Sequence, residues 1–440
     1  MNPVRMIQSF FNTESLQKAS IATIKPGQLI YGRVEKLLPN NTAVVQIGNL
    51  KLYAHLKTAL SDMNGHWFEV QANERDEIHL KVVEGDGQQL SQPSIQSLLK
   101  QLKLPETAIN VNLLQFFSSK NLAFTKEHLI KAESWINKNT DFPKAAKAIE
   151  FMIKSGLPFT KQIFQSLVAV QNSESFYSQL EQAGVYLDDP KFASFNSIQQ
   201  LKQRISTILR NHPIDAQNLQ DLSKNIQLDS GLEVKRMLKY LIQSLGLEYE
   251  KDMKSWLKDH HPSSESLNSL KPLLMKAMTE LGKNGKELEP ILNRLTGMQL
   301  ISHEFNEHVL QMIMQLPISF GEKKSDLTLQ WTGRKTSKGQ IDPHHCRILF
   351  FLDLQNIHLT VIDMQIQNKV VHVNIINDKK EMASVVTNFK QILKENLEKI
   401  GYQLSFIKVI PSFEKTKIDS LQMEPINSVI ELYNGVDIKI

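Results

Sequence analysis

The chain has 440 residues, 41% of them hydrophobic and 22% charged, with a formal net charge of +5. That composition excludes a disordered or collagen-like polymer and allows about two to four cores of roughly 100–200 residues each. A single cysteine, Cys346, excludes an internal disulfide framework and fits a reducing, cytoplasmic compartment.

Residues 1–24 read as a short leader. They lack the apolar stretch of a cleaved secretory signal, and no later run approaches the ~18 apolar residues of a membrane helix. Pro26 and Gly27 then open a block of five strand-like segments, 29–38, 42–47, 50–56, 67–72 and 77–83, with Gly48 and Asn49 as a tight hairpin connection. Five short strands in residues 25–84 predict a small β-barrel of the OB or SH3-like kind. Such barrels bind single strands through a positive groove and stacking aromatics. Tyr31, Tyr53 and Trp67 suit stacking, but seven basic residues face seven acidic ones across this block. A structural core is the favoured reading, with a nucleic-acid-binding adaptor as the alternative. Residues 85–93, polar and rich in turn formers, form the clearest linker.

From 94 to 314 the patterns are helical, which predicts an all-α middle region. Leu122-Ala-Phe-Thr-Lys-Glu-His-Leu129 resembles Leu157-Pro-Phe-Thr-Lys-Gln-Ile-Phe164, and Thr125 and Thr160, 35 residues apart, suit helix N-caps. The spacing fits a helical-hairpin repeat, or else recurring cap chemistry. Asn211-His-Pro213, Asp229-Ser-Gly231 and Asp259 to Ser264 read as breaks, and 232–247 is the strongest single helix.

Several clusters imitate catalytic or metal motifs. His303-Glu-Phe-Asn-Glu-His308 places its histidines five apart, about 140° around a helix, whereas a zinc helix needs i and i+4 on one face; a solvated helix surface is expected there. Asp342-Pro-His-His-Cys346 has no second ligand cluster to complete a tetrahedral site and reads as a polar turn. Gly333-Arg-Lys-Thr-Ser337 and Gly282-Lys-Asn-Gly-Lys-Glu287 lack phosphate-loop spacing and read as surface turns. No nucleophile elbow occurs. The chain is therefore expected to be non-enzymatic, with no metal, cofactor or small-molecule substrate.

Residues 315–412 predict an α/β unit. Strands are expected over 346–354, 359–367 and 370–376, with Asn368 and Lys369 as a turn. A helix over 378–400 then carries Met382, Val385, Val386, Phe389, Ile392, Leu393, Leu397 and Ile400 at steps of three and four. Gly401 suits its C-cap, a strand over 402–410 follows, and 413–440 is a tail. The whole is a multidomain α+β chain: N-terminal barrel, all-α middle, and a C-terminal α/β sandwich of a mixed sheet with one long helix. Alternation alone offers Trp331, Arg347, Gln365 and Gln367 as outward partner-binding residues.

The order of elements in this last unit resembles the C-terminal domain of bacterial flagellar hook-length control proteins. The likeness is densest over Leu393-Lys-Glu-Asn-Leu-Glu-Lys-Ile-Gly-Tyr-Gln-Leu-Ser-Phe-Ile-Lys-Val409. That family runs a leucine-rich helix into a Gly-x-x-Leu turn and a Val-rich strand, matched by Leu393, Leu397, Gly401, Leu404 and Val409. Upstream, Leu292 to Ser302 followed by Leu316-Pro-Ile-Ser-Phe and Asp326-Leu-Thr-Leu-Gln-Trp is similar to the approach segment of relatives in low-GC Gram-positive bacteria. Where the family has Pro-x-x-Leu-Gly, this chain has Trp331-Thr-Gly-Arg-Lys-Thr-Ser-Lys-Gly339. The resemblance implies docking on the cytoplasmic domain of the export-gate switch protein, changing type III export from rod and hook to filament substrates. It also implies a cytoplasmic protein that is itself a candidate for export through the flagellar apparatus, and it assigns Gly401, Leu404 and Val409 to fold maintenance. A cytoplasmic scaffold without flagellar duty is a further alternative.

Overall fold

The structure is a computed structural model that describes residues 25–48, 50–57, 65–71, 78–85, 92–137, 140–210, 228–250, 253, 267–302, 304–306, 309–320, 323–336, 341–354 and 357–411. The leader, the tail and the expected breaks at 211–213 and 259–264 lie outside these residues. The architecture is multidomain α+β: a closed barrel, a helical middle and an open mixed sheet with one long helix. The described residues form two compact units, 25–168 and 169–411, so the middle helices divide between barrel and sheet.

The barrel comprises β1 (Leu29–Leu38), β2 (Thr42–Ile47), β3 (Leu50–Leu56), β4 (Gly65–Gln71) and β5 (Ile78–Gly85). It closes in the order β1-β2-β3-β5-β4, with β3 and β5 parallel and the other pairs antiparallel. Of the two barrels the spacing allowed, this is the OB kind. Alternation sends Ile30, Val34, Val45, Ala54, Leu56, Phe68, Val70 and Leu80 into one apolar core. Asn40 and Asn41 turn β1 into β2 with φ of 61° and 56°, which asparagine tolerates in tight hairpins. The linker is shorter than expected, because β5 runs to Gly85 and helix α1 (Gln92–Gln101) starts at Gln92.

Helices α2 (Ala108–Ser119), α3 (Lys126–Trp135), α4 (Phe142–Lys154) and α5 (Lys161–Ala169) follow. Leu29 and Phe124 exchange backbone hydrogen bonds of 2.6 and 3.0 Å, and the Trp67 and Phe117 rings pack on Phe124 at 5.7 and 4.8 Å. These contacts explain why the first helices belong with the barrel. The recurrence at Thr125 and Thr160 is real at the level of backbone geometry. Thr125 Oγ1 accepts the His128 N–H at 3.2 Å, and Thr160 Oγ1 accepts the Ile163 N–H at 3.4 Å. Each is preceded by a left-handed residue, Asn121 or Gly156, after which a leucine N–H returns to a helical carbonyl (Leu122 to Phe117, Leu157 to Met152). The period continues along the chain into α6 (Phe176–Leu187) and α7 (Asn196–Arg210). The N-caps Thr107, Asp141 and Ser175 are spaced by 34 residues. The second helices begin 35 residues apart, at Lys126, Lys161 and Asn196.

One expectation about breaks fails here. Asp229, Ser230 and Gly231 lie inside the first turn of α8 (Leu228–Leu245), where turn-type residues are well tolerated because the first amides have no intrahelical partner. The Gly282 segment is a surface turn as expected, a 3-10 turn over Gly282–Leu288 with Lys283, Asn284, Lys286 and Glu287 exposed and Gly285 buried. A Cβ on Gly285 would come within 2.8 Å of the Met278 carbonyl.

In the second unit, α9 (Leu270–Leu281) and α10 (Glu289–Ile301) lead into the sheet: β6 (Glu304–Asn306), β7 (Val309–Phe320), β8 (Lys323–Lys335), β9 (Ile341–Leu354), β10 (His358–Gln367), β11 (Val370–Ile376) and β12 (Gln403–Ile410). The sheet thus begins before residue 315, and Glu304 to Asn306 is strand instead of helix surface; His303, Glu307 and His308 lie outside the described residues. Likewise 341–346 and 333–335 are strand, not turns. Gly333 is there because a Cβ would meet Ile341 at 2.6 Å and Cys346 at 2.8 Å. All neighbours pair antiparallel except β11 with β12, which α11 (Met382–Lys399) connects. Asn368 and Lys369 make the β10–β11 turn with φ of 49° and 68°. The outer edge of β7 is closed by Ser302, whose Oγ accepts the Ile313 N–H at 2.8 Å and donates to the Ile313 carbonyl at 3.1 Å.

Candidate docking site

The strand register sorts the sheet into two faces, one apolar and one mixed. Three rows run across five strands on one face. Gly333, Cys346, Ile366, Val371 and Leu404 form the first; Trp331, Ile348, Met364, Val373 and Ile407 the second; Leu329, Phe350, Ile362, Ile375 and Val409 the third. Helix α11 covers the β11–β12 end of this face, with Leu393 and Leu397 on a core of Cys346, Ile366, Val371, Val373 and Leu404. Gly401, at φ 81°, ends the helix, and the Tyr402 N–H returns to the Leu397 carbonyl at 2.8 Å. Leu404 is buried beneath it, and Val409 pairs with Ile375.

The helix does not bury all of its expected stripe. Met382 and Val386 are buried, but Val385 is 45% exposed, Phe389 41% and Ile400 68%. Eight apolar positions span more of the helix circumference than one sheet contact can cover, so a second apolar flank is left over. Parallel β–α–β crossovers are right-handed almost without exception, and in that hand the Val385 and Phe389 side of α11 is the side nearer β10 and β9. There Trp331, Ile348, Phe350, Ile362 and Met364 are only half-buried, and Met312 on β7 is exposed. The result is an apolar shelf with an apolar helix flank beside it.

The opposite face is mixed: Leu349, Phe351 and Val361 are buried on it beside a network of polar side chains. Arg347, paired across from Gln365, donates from Nε to Asp363 Oδ1 at 2.8 Å and from an η nitrogen to Oδ2 at 3.0 Å; Gln365 Nε2 donates to the same carboxylate at 3.3 Å. Asp363 is fully buried. On the same face Asp326 of β8 accepts the Phe176 and Tyr177 N–H groups at 2.6 and 2.9 Å and the Ser175 hydroxyl at 3.2 Å, capping α6 from a distant strand. Arg294 lies beside it, donating to Gln315 Oε1 at 3.0 Å, the Glu174 carbonyl at 2.7 Å and Gln179 Oε1 at 2.9 Å. Burial pushes the Asp326 carboxyl above its ordinary pKa, against the pull of Arg294 and the three donors, and burial lowers Arg294.

Of the four residues offered by alternation, Arg347, Gln365 and Gln367 share the mixed face and Trp331 lies on the apolar one. Arg347 and Gln365 are committed to Asp363. Trp331 is the one already on the shelf, and Ile348, Phe350, Ile362, Met364, Val385 and Phe389 were missed. Their signal was present as an excess of apolar positions in the helix, too many for a single stripe. The Asp342 cluster is internal: Asp342 accepts from the His344 amide at 2.9 Å and contacts the His345 ring at 2.8 Å. Burial pushes the Cys346 thiol up. Among the described residues, no three His, Cys, Asp or Glu side chains gather to hold a metal, and no helix is long and apolar enough to cross a membrane.

These features define the class as a multidomain α+β chain whose C-terminal sheet keeps an open apolar shelf. The chain is similar to the uncharacterized protein YlqG of Bacillus subtilis (strain 168), at 31% identity over 163 residues. The match takes in 36% of this chain and only 28% of that relative. No family model and no solved structure matches.

Proposed function

We propose that the protein is a non-enzymatic docking factor whose C-terminal unit holds a partner on the shelf between α11 and β8–β10. Two observations support this reading: Val385 and Phe389 stand exposed on α11, and Trp331, Ile348, Phe350, Ile362 and Met364 are only half-buried on the sheet face that α11 covers in part. Contiguous apolar surface of this kind on a soluble face is characteristic of protein–protein contact. The resemblance to hook-length control proteins names the partner as the cytoplasmic domain of the flagellar export-gate switch protein. Docking there changes export specificity by favouring one conformation of the partner, which needs differential affinity and no bond chemistry.

Calorimetric titration of the full chain against that cytoplasmic domain tests the reading. Saturable binding is expected, weakened at least about tenfold in a Val385→Ser, Phe389→Ser variant that loses two shelf anchors. Equal affinity for this variant and the wild type would move the contact elsewhere. Absence of binding, together with normal hooks and motility on deletion, would leave the scaffold alternative.

A further inference from the structure

We propose that the outer face of β1, β2, β3 and β5 in the barrel binds single-stranded nucleic acid. Register places three successive rows of side chains on this face. Arg33, Gln46 and Lys51 form one; Lys36, Val44 and Tyr53 the next; Thr42, His55 and His79 the third. Tyr53 is 70% exposed at the centre, far more than an aromatic ring with a structural role needs. Beside it the His55 and His79 rings stack at 5.4 Å and 22°, with Thr42 Oγ1 holding His55 Nδ1 at 3.2 Å. A ring platform two rows deep is what successive bases stack on, whatever their sequence.

The charge on these strands differs from the even balance of the whole block. Lys51 is matched by Glu35 at 2.7 Å and Lys81 by Glu69 at 4.0 Å, but Arg33 and Lys36 are exposed and face no carboxylate among the described residues. Asp62, Glu74, Asp76 and Glu77 lie outside the described residues, as does the side chain of Glu84 on β5. Exposed Arg33 and Lys36 stand on the β1 side of the aromatic platform, suited to a phosphate backbone tracking past stacked bases. Elsewhere on the barrel Tyr31 packs on Trp67, and Trp67 on Phe124. Flat rings that take bases of any sequence, beside exposed cations that take phosphates, favour a nucleic acid as the occupant.

Fluorescence anisotropy of the full chain with fluorescein-labelled dT and rU 12-mers tests this. The expected result is saturable binding that weakens roughly sevenfold between 50 and 200 mM salt, as two phosphate contacts require. Tyr53→Ala should weaken it about tenfold by removing one stack. Arg33→Gln with Lys36→Gln should flatten the salt dependence. Both variants alter exposed side chains, and unchanged thermal unfolding separates a lost surface from a lost fold. A preference between the dT and rU arms assigns the sugar. No binding at 50 mM salt overturns the proposal, as does binding that ignores salt or is indifferent to all three substitutions.

Discussion

The barrel and the C-terminal sheet meet the same problem, a pleated layer with edges and two faces, in different ways. The barrel closes on itself, so its core can be wholly apolar and its outer face is free to stay wet. The open sheet has two edges and two faces to account for. It closes one edge with Ser302, buries one face over ion pairs that tie in a helix and neighbouring strands, and covers only part of the other with α11. What remains uncovered is apolar, and that leftover is the docking surface we propose. Closure makes a self-sufficient core; incomplete cover makes a docking surface.

The largest effect that would sharpen this contrast is at Asp326. Replacing it with Ala leaves Arg294 buried without its counter-charge and strips the α6 cap, which should cost about 3–5 kcal/mol. Urea unfolding should show that loss in the sheet unit, with the barrel transition unmoved. The pH dependence has a definite sign. Because burial raises the folded carboxyl above its unfolded value, the stability linked to its titration is present in full at low pH and is lost as pH rises through the folded pKa. The advantage of wild type over Asp326→Asn should therefore grow as pH falls through the raised titration of the folded carboxyl. An advantage that shrinks over that range contradicts the burial argument.

A smaller effect is expected at Gly401. Nothing lies within 4 Å of a Cβ built there, so Gly401→Ala meets backbone strain alone, about 1 kcal/mol, read as a modest drop in the unfolding midpoint. The smallest belongs to the shelf: Phe389→Ser removes an exposed ring and should shift stability by no more than about 0.5 kcal/mol. A large loss there would mean that the shelf is core and that the contrast between the two sheets is false.

Much of the fold was legible because periodicity is a local property. The barrel strands, the β10–β11 turn at Asn368 and Lys369, and the Gly401 cap follow from alternation and left-handed residues that any window of ten displays. The helix pairs were half legible, since Thr125 and Thr160 announce a cap, while the matching N-caps at Thr107, Asp141 and Ser175 share no residue type and emerge only from the backbone.

The candidate site was read less well, for a reason rooted in how sheets assemble. Alternation says that Arg347 and Gln365 share a face; it does not say which face is buried, nor that Asp363 waits between them. Composition and spacing by themselves determined the classes of element, their order and the absence of catalytic motif spacing. Only tertiary structure decided that α11 is too narrow for its sheet, that Asp326 caps a helix some 150 residues earlier in the chain, and that Tyr53 faces out beside two stacked histidines. Those outcomes depend on which distant segments compete to cover each face, and that competition is settled by packing and not by any local pattern.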